Sequence, residues 1–171
     1  VTGLSDGPLI KDGADASYSR EPGQVCVVLT ADCLPILLCD RAGSVVAAIH
    51  AGWRGLAAGI MERTIQRMNI ASGQLIVWFG PAIGPEHFEV GVEVREAFVS
   101  KNSATAGAFE QNSSRKYFAD LFEIARIRLQ AMGVNEIYGG HWCTYADTDK
   151  FFSYRRESQT GRIASLITRV K

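Results

Sequence analysis

Residues 25–50 read VCVVLTADCLPILLCDRAGSVVAAIH, and this stretch decides the fold class. It holds three short apolar runs, rich in β-branched residues: Val25–Thr30, Leu34–Asp40 and residues 44–50. The polar step Ala31-Asp32-Cys33 separates the first two, and the turn Asp40-Arg41-Ala42-Gly43 separates the last two. Near-continuous apolarity marks strands covered on both faces. A four-residue turn between two such runs closes a hairpin, which excludes a purely parallel doubly wound sheet. The expectation is an α/β domain of the α+β type: mixed β-sheet layers flanked by helices, with a Cys–His site at the ends of a β-hairpin.

Outward from this stretch, residues 1–23 are rich in Gly, Asp, Ser and Pro and read as loop with a short strand. Leu56, Ile60, Thr64 and Met68 recur every fourth residue and predict one helix over 54–68. Strands are predicted over 74–79 and 88–90, a helix over Val92–Val99, and a mobile loop over 100–115. Asp120 is placed to cap a helix, with Glu123 completing a capping-box pattern and Gly133 as the stop. Segments 136–140, 151–154 and 162–168 read as closing strands.

The chain has 171 residues, 18 Lys plus Arg, 18 Asp plus Glu and no net charge. That length fits one domain, and the balance lacks the basic excess that pairs with phosphates of nucleic acid. No apolar stretch approaches the roughly 20 residues that cross a bilayer. Cys26, Cys33, Cys39 and Cys143 form no C-x-x-C pair, which predicts reduced thiols in a cytoplasmic protein. Oligomeric state is not encoded in any pattern here.

His50 ends an apolar run and precedes Ala51-Gly52-Trp53-Arg54-Gly55, where two glycines permit a sharp turn and a close approach to a ligand. A hydrogen-bonded structural His is the alternative. Cys33 precedes the first hairpin strand and His50 ends the second, so the hairpin brings them together. A Cys–His pair serves as an activated nucleophile or as two ligands of a zinc site. Catalytic zinc takes three protein ligands, for which His87 and His141 are candidates, each with a loop role as its alternative. Cys26 and Cys39 default to core; Cys143 is either core or site-lining. Gly84 belongs to a rigid Gly/Pro loop, residues 80–85, of the kind that borders sites. Arg54 and Arg155 are candidate anion binders, and Arg156 reads as a surface charge.

Thr30-Ala31-Asp32-Cys33-Leu34-Pro35 followed by His50-Ala51-Gly52-Trp53-Arg54-Gly55 resembles a bacterial family with three names. These are the multicopper polyphenol oxidase (laccase-like), purine nucleoside phosphorylase and peptidoglycan editing factor families. The likeness continues through Gly80-Pro81-Ala82-Ile83-Gly84, Phe88-Glu89-Val90-Gly91, Asp120-Leu121, Cys143-Thr144, Phe152-Ser153-Tyr154-Arg155-Arg156 and Thr160-Gly161-Arg162. It covers the chain from Asp15 onward.

The resemblance implies helix-layered mixed sheet and a metal site, usually zinc, held by His, Cys and His. The cysteine and second histidine map onto Cys33 and His50. The first histidine belongs to a Gln-Val-His-Gly motif that this sequence lacks. Residues 1–171 are therefore expected to be a single catalytic domain without the family's N-terminal segment and one ligand.

The activities implied are phosphorolysis of adenosine-, inosine- and guanosine-type nucleosides and of methylthioadenosine, together with adenosine deamination. A purine nucleoside and phosphate would be the small-molecule partners. Cys33, His50, Asp32 and Arg54 would carry the chemistry: Asp32 would orient water or act as base, and Arg54 would hold phosphate. Arg155 and Gly84 would line the substrate site. The alternative is a Cys–His amidase editing peptidoglycan precursors, with Cys33 as nucleophile and His50 as base. Copper is the other metal the family's names suggest, but three histidines are too few for a multicopper phenol oxidase.

Overall fold

The computed structural model describes residues 2–3 and 14–170. The strands are β1 (Thr2–Gly3), β2 (Ala16–Ser19), β3 (Val25–Thr30), β4 (Leu34–Asp40), β5 (Val46–Ala51), β6 (Leu75–Phe79), β7 (Glu89–Val90), β8 (Phe109–Gln111), β9 (Tyr117–Ala119), β10 (Glu136–Gly139) and β11 (Ile163–Thr168). The helices are α1 (Trp53–Ala57), α2 (Ile60–Met68), α3 (Val92–Val99) and α4 (Leu121–Ala131). A six-stranded sheet runs β1-β2-β5-β4-β6-β10. Its inner strands are antiparallel, and β1 and β10 join its edges in parallel. The fold is mixed α+β, with sheets flanked by helices.

The hairpin strands are buried on both faces because two separate layers cover them. Leu34, Ile36 and Leu38 of β4 and Ala47, Ile49 and Ala51 of β5 face the main core, with Met61 and Ile65 of α2. The alternate residues Leu37, Cys39, Val46 and Ala48 pack against Cys26, Val28 and Ile167 of the β3–β11 ribbon. Period-two alternation sends each set to its own layer. The ribbon's outer face is bare: Val25, Val27, Leu29 and Leu166 are exposed. A third sheet, β7-β9-β8, is small and antiparallel.

Asp40 builds the hairpin turn. Its Oδ1 accepts from the Ser44 and Val45 amides at 2.6 and 3.0 Å, and its Oδ2 accepts from Ser44 Oγ at 2.6 Å. Gly43 takes φ +63° within it. Asp120 accepts from the Glu123 amide at 3.0 Å and so caps α4, as its position predicts.

Three expectations are corrected. The helix predicted over 54–68 is two helices, because Gly59 at φ +84° breaks it. Leu56, Ile60, Thr64 and Met68 are nonetheless all buried, so the stripe survives the break. Segment 100–115 is partly ordered as a 3-10 turn over Ser103–Ala108 followed by β8. Segment 151–154 is irregular rather than a strand: its inward group, Ser153, is polar and accepts from the Arg156 amide at 3.2 Å. The loop predicted over residues 1–23 lies partly outside the described residues; within them, β2 pairs with β5.

Candidate active site

The β4–β5 register places Pro35 opposite His50 and Leu34 opposite Ala51, so Cys33 and His50 stand at one end of the hairpin. Beyond that end the chain turns at Gly52 into α1. A Cβ on Gly52 would stand 3.0 Å from Cys33 Sγ and 3.7 Å from His50 Nε2. Glycine therefore keeps open the space that the sulfur and the imidazole border. Asp15, Cys33, His50, Gly52, Trp53, Arg54 and Gly55 line a cleft of about 230 Å³ at this point.

Asp15 is a site residue that sequence reasoning missed. Its Oδ1 lies 3.1 Å from His50 Nδ1, and its carbonyl accepts from the His50 amide at 2.7 Å. A carboxylate on one ring nitrogen fixes the ring and leaves the other nitrogen toward the cleft. The available signal was topological: an Asp just before a strand that pairs antiparallel beside His50.

Asp32 has φ +86°, unusual for a non-glycine residue, and is buried. Its Oδ1 accepts from Thr144 Oγ1 at 2.6 Å and its Oδ2 from the Arg155 amide at 2.6 Å. Its carbonyl accepts from the Ile83 amide at 2.9 Å. With one hydrogen bond to each carboxylate oxygen and one to its carbonyl, Asp32 fastens three segments behind Cys33. The Arg155 guanidinium donates to the Glu89 carbonyl at 3.0 Å and lies over Phe88.

Arg54 is exposed on the cleft wall, with its guanidinium carbon 4.3 Å from the centre of the Trp53 ring. Arg162 is a second cation near Cys33, placed by the pairing of Ile163 with Thr30. Among the described residues its guanidinium donates to the Thr160 and Gly161 carbonyls. Burial pushes the Cys33 thiol up, Asp32 and Asp15 push it further, and Arg162 opposes them.

Arg156 is not a free surface charge. It donates to the carbonyls of Thr144, Tyr145 and Phe151 at 2.8–2.9 Å and clasps that loop. Gly84 is buried and borders Cys143, not Cys33. His87 also lies at Cys143, and His141 is exposed beside Trp142. Among the described residues, no three His, Cys, Asp or Glu side chains form a group that could hold a metal. Cys33 and His50 supply the thiolate and imidazole types that zinc takes, so they fit two positions of a zinc shell with Asp15 behind the imidazole.

A larger groove of about 530 Å³ lies elsewhere, lined by Glu86, Glu110, Asp120 and Glu123 among others. Its carboxylates repel an anionic substrate, and it has no Cys–His pair. The cleft at Cys33 is the better candidate. Among the described residues, no helix is long and apolar enough to cross a membrane.

A family model described as multi-copper polyphenol oxidoreductase laccase matches residues 2–170. Purine nucleoside phosphorylase YfiH of Shigella flexneri is 52% identical over 167 residues, which span 98% of this chain and 68% of that protein. Purine nucleoside phosphorylase PA4543 of Pseudomonas aeruginosa is 54% identical over 155 residues, 90% of this chain and 64% of that one. The crystal structure of Neisseria meningitidis protein NMB0706 superposes with a TM-score of 0.91 at 49% identity, covering 92% of this chain and 65% of that one. The chain thus spans about two thirds of the length of these relatives.

Proposed function

This chain belongs to the multi-copper polyphenol oxidoreductase laccase family, and from that premise we propose that it carries the reacting end of a purine nucleoside phosphorylase site. The observation that supports this most is the Gly52 cradle, where Cys33 Sγ and His50 Nε2 border one open space with Arg54 on its wall. A zinc ion held by Cys33 and His50 would supply Lewis acidity in the cleft.

The protein's own residues do the rest. Asp15 holds the His50 ring in orientation. Arg54 and Arg162 offer guanidinium groups to phosphate. A phosphate oxygen then attacks C1′ of the ribose, the bond to the purine nitrogen breaks, and the base leaves with the proton that hydrogen phosphate gives up. The cleft, at about 230 Å³, is below the roughly 300–1,000 Å³ of whole small-molecule sites and matches the ribose–phosphate end. Adenosine deamination and methylthioadenosine phosphorolysis would use the same centre. Asp32 acts here as a positioning residue, bonded to the Arg155 amide and, through its carbonyl, to the Ile83 amide beside Gly84.

The amidase alternative needs Cys33 as a free thiolate, and burial together with Asp32 and Asp15 works against that charge. A cation beside the sulfur removes the difficulty, which favours the metal reading. The test is to strip the protein with a chelator, restore zinc, and follow hypoxanthine release from inosine with and without phosphate. Phosphate-dependent release restored by zinc supports the reading. Release that ignores both phosphate and zinc overturns it.

A further inference from the structure

A second Cys–His pair stands apart from the first. Cys143 Sγ lies 3.6 Å from His87 Nδ1. The Gly84 amide donates to the same sulfur at 3.2 Å, and the Ala146 amide does so at 3.4 Å. A Cβ on Gly84 would stand 3.2 Å from the sulfur, so a larger residue would crowd the loop away from it. The His87 ring is held by stacking on Tyr145, with centroids 4.6 Å apart. Cys143 and His87 are both partly exposed.

We propose that Cys143 and His87 form a second nucleophilic site, distinct from Cys33 and His50, that reacts with small peroxides. Amide hydrogens aimed at a sulfur support negative charge on it, and an imidazole within reach accepts its proton. Cys26 and Cys39 lack this setting: the Cys26 sulfur faces the Val46 carbonyl, and burial pushes both thiols up. In the reaction the Cys143 sulfur attacks one peroxide oxygen and the O–O bond breaks. The departing hydroxide (or alkoxide) takes the proton that His87 removed. The sulfur is oxidised by two electrons to a sulfenic acid, and the peroxide is reduced to water (or an alcohol).

The experiment treats the whole chain with hydrogen peroxide and a sulfenic-acid-trapping dione, then follows each cysteine peptide by mass spectrometry over time. Cys143 should be captured at least fivefold faster than Cys39, which is also partly exposed. His87→Gln should slow Cys143 at least fivefold and leave Cys39 unchanged, with the melting temperature checked in parallel. The first comparison needs no variant, so it stands even if His87→Gln folds poorly. Equal capture of Cys143 and Cys39, or a folded His87→Gln protein with unchanged Cys143 kinetics, overturns the proposal.

Discussion

Single side chains decide what the cleft can hold. Gly52→Ala would put a methyl 3.0 Å from Cys33 Sγ. If the proposed zinc-dependent phosphorolysis holds, the expected result is loss of zinc and a fall in phosphorolysis of about tenfold or more, roughly 1.4 kcal/mol, with little change in melting temperature. Elemental analysis beside kcat/KM checks it, and an alanine variant that keeps both zinc and rate would remove the cradle from the mechanism. Arg54→Ala separates two roles. If its guanidinium holds phosphate, phosphorolysis falls by about tenfold while deamination, which uses water, falls much less. Equal losses would make Arg54 a brace for the turn after His50. Cys33 and His50 come to one end of the hairpin because hairpin ends must meet. Asp15 and Arg162 were not legible in the sequence, because each reaches the site through a strand pairing that residue spacing cannot reveal. Gly84 stood out as part of a rigid Gly/Pro loop, and its neighbour across the fold, Cys143, is set by a bridge between distant segments that spacing does not show.

Elements show where local chemistry overrides periodicity. The hairpin was readable because its apolar runs and its Asp–Gly turn agree. Burial pushes the Asp40 carboxyl up, but Ser44 Oγ and the Val45 and Ser44 amides outweigh this and hold it below the usual range. A carboxyl depressed in the folded state gives stability that is present above its unfolded value and is lost as pH falls through the folded one. Acid titration of the wild type should therefore show a stability loss below pH 3.8, the ordinary value, that Asp40→Ala lacks. At neutral pH the same variant should cost about 1.5–3 kcal/mol in urea unfolding, the range for hydrogen bonds to a charged group. The break between α1 and α2 was hidden because the four-residue stripe continues across it. Gly59→Ala should cost about 1 kcal/mol or more, since φ +84° strains any residue with a Cβ. A stabilised Gly59→Ala protein would mean that the two helices can fuse.

Across the whole molecule, the segment after β10 is organised by side chains rather than by a ladder. Arg156 holds the carbonyls of residues 144, 145 and 151, and Asp32 receives Thr144 and the Arg155 amide. Apolar spacing suggested a strand at 151–154 because composition does not show that a guanidinium will satisfy those carbonyls. Arg156→Lys cannot reproduce the planar fork, so it should lower stability by about 2 kcal/mol and speed hydrogen exchange at the Thr144 and Arg155 amides. Unchanged exchange there would show that the loop holds without the clasp. The ribbon of β3 and β11 has a different consequence, which concerns time rather than space. A ribosome makes β11 more than a hundred residues after β3, and among the described residues β11 is the strand that pairs with β3. Until β11 emerges β3 lacks that pairing, and its outer Val25, Val27 and Leu29 face open water. Nascent chains stalled before Ile163 should bind a hydrophobic-surface chaperone, and extension past Thr168 should release it.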